Sequence, residues 1–195
     1  MWDITEEDLL PISIGAAVLG TGGGGNPYLG YLRVRQVMEA GGRIRVIDPD
    51  EIADDDLLVS VGGMGSPMVS HEKLAGGEEE TVAARALEKH LGRQFDAIAP
   101  FEMGGGNSMV PMIVAAAMDI PLVDGDGMGR AFPELQMITY LIYGGSPSPS
   151  AIADERANEV VIAEVASAKW LERIMRAATI EMAVSYTHLT LPTKA

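Results

Sequence analysis

The acidic side chains of this 195-residue chain that are best suited to do chemistry stand beside glycine-rich stretches. Glu102 precedes the run Gly104, Gly105, Gly106, Asn107; Asp124 and Asp126 flank Gly125 in DGDG; Glu134 follows in FPE, and Arg130 is the one base of that last loop. Carboxylates at strand ends beside flexible backbone suit general-base catalysis or a hard metal ion. Glu102, Asp126 and Asp124 are therefore the candidate catalytic residues. A pair of Asp residues around glycine is also a common turn former, and Glu134 equally suits the first turn of a helix. DGDG does not continue into an EF-hand loop. His71, in MVSHEK, would be the histidine of a metal-binding alternative with Glu102, Asp124 and Asp126, its default role being that of a surface residue; Mg²⁺ or Mn²⁺ would fit the oxygens and Zn²⁺ the imidazole.

The tetrad GGGN occurs twice, at Gly23, Gly24, Gly25, Asn26 and at Gly104, Gly105, Gly106, Asn107. A glycine run ending on a helix-capping Asn presents free N–H groups and the positive end of a helix dipole, a setting for a carboxylate, a phosphate or a polarised carbonyl. These eight residues and Arg130 are the candidate substrate-binding set. The bland reading of each loop is a tight turn. Neither is a nucleotide fingerprint: no Walker lysine follows the first, and it follows a helix where a dinucleotide motif needs a strand, so no nucleotide cofactor is expected. Met64, Met103 and Met128 beside the loops would suit a soft pocket or a core equally.

Composition narrows the partners. A formal charge of −14 argues against nucleic acid and anionic membrane, which leaves a small molecule, with a homo-oligomer open. There is no Cys, hence no thiolate nucleophile, and the acidic N-terminus is unlike a secretory signal, so the expected compartment is the cytoplasm.

Elements must hold these loops in place. Thr5 and Asp8 read as a capping box opening a helix that ends at Gly20, with a kink expected at Pro11; Asn26 and Pro27 open a second, with Leu29, Leu32, Val37 and Met38 as its apolar face. Residues 43–48 and 56–63 read as strands, 78–91 as a helix, 95–101 as a strand before EMGGGN, with Asn107 capping the next helix; 121–124 is a strand before GDGMGRAFPE, and Pro133 opens a helix to about Tyr143. Residues 151–165 read as a hairpin about Ala157. Strand, glycine loop and helix recur, which predicts a layered α/β domain with a largely parallel sheet and its Gly-rich loops at strand ends.

The stretches VLGTGGGGNPYLG, VGGMGSP, FEMGGGNSMVPM and PLVDGDGMGRAFPELQM, in that order, resemble the N-terminal domain of the S-methyl-thiohydantoin desulfurase family over about residues 5–182. The resemblance implies an α/β domain over residues 1–183, followed in the whole protein by a smaller β-rich domain, and an enzyme that removes a methylthio group from a hydantoin-like ring. A metabolite-binding domain without catalysis and a metal-dependent amide-ring hydrolase are the alternatives. Residues 184–195, VSYTHLTLPTKA, break with the composition upstream and resemble the conceptual translation of a sequencing adapter, so they are expected to be non-native.

Overall fold

The structure is a computed structural model that describes residues 1–65 and 77–182, together with the backbone of 184–191. His71 falls outside the described residues. The elements in order are β1 (Trp2–Asp3), α1 (Glu6–Gly20), α2 (Pro27–Glu39), β2 (Arg45–Ile47), β3 (Leu58–Gly65), α3 (Glu79–Leu91), β4 (Ala97–Pro100), α4 (Val110–Met118), β5 (Leu122–Val123), α5 (Thr139–Ile142), β6 (Ser150–Ala153), β7 (Glu159–Ile162), α6 (Ala168–Met182) and β8 (Val184–Leu191).

All the strands join one sheet in the order β1-β2-β5-β4-β3-β8-β6-β7. The β2-β5-β4-β3 part is parallel, as the strand and helix alternation predicts, and the edge beyond β3 is antiparallel. The segment that composition sets apart thus pairs on both sides, Ser60 with Leu189 and Ala151 with His188, in keeping with the strand propensity of its Val, Tyr and Thr residues.

Alternation along the strands separates the cores. Val59, Val61 and Ile98 face the side covered by Leu9 of α1, Val34 of α2, Leu87 of α3 and Met109 before α4. Leu58, Ala97, Ala99 and Val123 face the other way, and Met64 and Phe101 pack with Leu171 and Met175 of α6. Each large aliphatic residue so buried contributes about 1.5–3 kcal/mol of apolar transfer. On α2 only Val34 is buried; Leu29 and Leu32, expected on its core face, are exposed along a cleft. Among the described residues no helix is long and apolar enough to cross a membrane.

Local signals account for the helix starts. The Asp8 carboxylate accepts from Thr5 N and Oγ1 at 2.8 and 2.7 Å, and Asn26 Oδ1 accepts from Tyr28 N at 2.9 Å with Pro27 at the first helical position. Two expectations need correction. Asn107 does not cap α4: it lies inside a 3₁₀ turn, Gly105–Ser108, and Met109 precedes the helix. Nor does Pro133 open a helix. Glu134 is extended, at φ −139°, and only a 3₁₀ turn (Leu135–Met137) and the single turn of α5 follow, because residues 132–135 are drawn out against side chains of other elements.

Candidate active site

The carboxyl ends of β3, β4 and β5 carry the loops of interest, and the two GGGN stretches meet there. Gly106 N donates to Gly25 O at 3.0 Å and Asn107 N to Gly24 O at 2.9 Å. The approach requires glycine: at Gly24 (φ +74°) a Cβ would collide with the Gly104 carbonyl, and at Gly105 (φ +64°) with the Gly23 carbonyl. The second loop therefore spends two of its N–H groups on the first. Among the described residues no protein acceptor meets the N–H groups of Gly24, Gly25 and Asn26, nor those of Gly104 and Gly105, but of these only the first three residues line the cleft beside the junction, so the donors placed for a ligand belong to the first loop, at the start of α2.

This junction walls a cleft of about 1110 Å³, whose lining includes Gly23, Gly24, Gly25, Asn26, Gly106 and Asn107. Leu29, Leu32 and Val37 of α2 give it an apolar side, joined by Met64, Phe101, Met128 and Phe132. Met103 is not in the lining. Arg130 reaches the cleft from the surface with its guanidinium 4.6 Å from the Phe132 ring centre. Arg33, also in the lining, is ion-paired to the buried Glu80 at 2.6 Å.

Of the candidate catalytic acids, Glu102 is the one that lines the cleft. It is only 5% exposed, and both oxygens are held: Oε1 accepts from Asn107 Nδ2 at 2.7 Å and Oε2 from Phe132 N at 2.8 Å. Burial pushes its pKa above the usual carboxylate value and the Asp126 charge adds to that rise, while the two donors, which favour the ionised form, act against it. A buried acid raised by desolvation and held in a cleft has the physical marks of a proton-transfer group.

The other two candidate acids do not join it. Asp126 Oδ2 accepts from the N–H groups of Met103, Met128 and Gly129 at 2.9, 3.1 and 2.6 Å, which makes it an anchor for two loops; it is absent from the cleft lining. Asp124 is exposed on the turn after β5 and also lies outside the cleft. Among the described residues no three His, Cys, Asp or Glu side chains are grouped to hold a metal ion, so Glu102, Asp124 and Asp126 do not form the ligand set weighed from sequence. Glu134 lines the cleft.

Sequence reasoning misread one contributor and missed two neighbours. Asn107, placed in the binding set and read as a cap, fixes Glu102 instead. Gly63 exchanges two hydrogen bonds with the Asn107 carboxamide, donating N–H to Oδ1 at 2.8 Å and accepting from Nδ2 at 3.0 Å. Tyr140, outside the cleft lining, has its hydroxyl pushed up to about 12 by burial and then by the Asp126 charge. VGGMG was a visible signal for Gly63; the bond from Phe132 N had none.

Comparison with known proteins gives this geometry a family context. The profile of the S-Me-THD-like family, N-terminal domain, matches residues 7–164. A crystal structure of a protein from Chromobacterium violaceum superposes with a TM-score of 0.79 at 26% identity, covering 99% of this chain and 56% of that one. The chain thus spans little more than half the length of that relative. No curated protein matches it.

Proposed function

Since the chain belongs to the S-Me-THD-like family as its N-terminal domain, we propose that its cleft serves the hydrolytic removal of a methylthio group from a small hydantoin-type ring. Water adds to the ring carbon that bears sulfur and gives a proton to Glu102 as the C–O bond forms. The electron pair of the C=N bond moves to the ring nitrogen, which takes the second proton of the water; the C–S bond then breaks and methanethiolate leaves with the proton returned by Glu102, so that thioimidate and water become ring amide carbonyl and methanethiol. The N–H groups of Gly24 and Gly25 stabilise charge developing on the ring during addition, the kind of donor worth about 3–4 kcal/mol of barrier in well-studied cases.

The observation that carries this reading is the buried Glu102 carboxyl, held at both oxygens in the wall of the cleft. Incubation of the protein with S-methyl-2-thiohydantoin and detection of methanethiol by a thiol-reactive dye tests it. Release above the uncatalysed rate supports the reading. Binding of the ring without release would leave a metabolite-binding domain in its place, and opening of the ring without thiol release would indicate an amide-ring hydrolase.

A further inference from the structure

The segment Phe132 to Leu135 lines the cleft as a strap that runs into the 3₁₀ turn, and two side chains of α6 hold it. Glu172 on α6, 8% exposed, accepts the Leu135 N–H on Oε2 at 2.9 Å. Its Oε1 accepts from Arg176 Nε and an Arg176 terminal nitrogen at 2.8 and 2.6 Å, and that terminal nitrogen also donates to the Pro133 carbonyl at 2.9 Å. One ion pair thus fixes two backbone points of a segment whose first N–H, that of Phe132, holds Glu102 Oε2. Both residues lie beyond the stretch 7–164 that the family profile matches.

We infer that Glu172 and Arg176 are positioning residues that set the orientation of Glu102 through the strap, keeping the Phe132 N–H on the carboxylate and the carboxyl in the cleft wall. The physical case is one of economy. A short segment outside any strand has no ladder of its own, so its N–H groups keep fixed directions only where side chains pin them. A charge-assisted pair is a stiff pin; here two guanidinium nitrogens meet one oxygen of a buried carboxylate, with the Arg176 side chain partly exposed. Its catalytic consequence rests on the role proposed for Glu102 above; the mechanical coupling does not.

The coupling has a readout independent of turnover. A donor on the ionised carboxylate favours ionisation, so freeing the strap raises the titration midpoint of Glu102 further. The charged group set against Glu102 is Asp126, from the loop after β5, and Arg33, Glu78, Glu79, Arg130, Glu134, Glu155 and Arg176 line the same cleft. The test follows the Glu102 side-chain carboxyl by ¹³C NMR across pH in the wild type and in Arg176→Met, with circular dichroism to confirm folding. An upward shift of the midpoint is expected, and, where the protein releases methanethiol, a kcat lowered roughly tenfold with KM little changed, because positioning acts on the bound reactants. An unshifted midpoint in folded Arg176→Met overturns the inference. If that variant does not fold, Glu172→Gln, which keeps the side-chain shape and removes the ion pair, decides by the same midpoint. Absence of methanethiol release from the wild type would remove the hydrolytic reading and leave the NMR result to judge the clamp alone.

Discussion

Asn107 donates to Glu102 at 2.7 Å while its carboxamide is locked in both directions onto the backbone of Gly63. One side chain thereby ties the end of β3 to the carboxylate that follows β4, and it fixes which amide atom is the donor: Oδ1 takes the Gly63 N–H, so Nδ2 must face Glu102.

Asn107→Ala leaves the Gly63 N–H and C=O and one Glu102 oxygen without their partner. A stability loss of about 2–3 kcal/mol is expected, above the roughly 1 kcal/mol of a lost helix cap. Urea unfolding measures it. A loss of about 1 kcal/mol or less would contradict the part given to Asn107 in tying Gly63 to Glu102.

The loop junction makes a prediction about single methyl groups. Gly24→Ala and Gly105→Ala each drive a Cβ into a carbonyl of the facing loop at positive φ, and should lower Tm by ten degrees or more or prevent folding, an effect on the order of 3 kcal/mol or greater. Gly15→Ala, in α1 with no atom within 4 Å of the added Cβ, should instead raise stability by about 0.5–1 kcal/mol. Equal Tm values for the three would contradict the junction.

Asp124 and Asp126 separate by environment. Asp124→Asn, on an exposed turn outside the cleft, should leave methanethiol release within about twofold of wild type. Asp126→Asn keeps a carbonyl acceptor but weakens three charge-assisted bonds, so thermal unfolding should show a loss of about 1–3 kcal/mol. Full stability in Asp126→Asn would remove its anchoring role.

The raised pKa of Glu102 has a sign in the pH dependence of stability. The folded state holds its proton to higher pH than the unfolded chain does, so stability falls as pH rises from the usual carboxylate range through the folded-state value, and it is flat in this respect below both. Glu102→Gln should lack that component. Urea titrations of both proteins between pH 4 and 8 should therefore show their stability difference moving against the wild type as pH rises; a constant difference would mean that the carboxyl is not desolvated.

The sequence was legible where the signal was local. The Thr5 and Asp8 box, the Asn26 and Pro27 start of α2 and the strand, loop and helix alternation around β4 depend on neighbours along the chain, and each appears where it was expected. Glu102 also stood out, by its place beside GGGN. The misreadings concern side chains whose partners are distant in sequence: Asn107 has the pattern of a cap but bonds Gly63, 44 residues away, and residues 132–135 have the pattern of a helix start but are held by Glu102 and Glu172. The GGGN repeat suggested two helix ends aimed at a ligand. It proved to be two loops bonded to each other, because only glycine lets the two backbones meet.

The central claim is that Glu102 moves the proton when the methylthio group is displaced, and the direct measurement is the rate of methanethiol release by Glu102→Gln beside the wild type, at matched fold and matched ring concentration. Glutamine keeps the shape and can accept from one of the two donors, but it cannot take a proton from water, so release should fall by roughly 10²–10⁴-fold while ring binding by calorimetry changes little. Release by Glu102→Gln within about threefold of wild type would contradict the account.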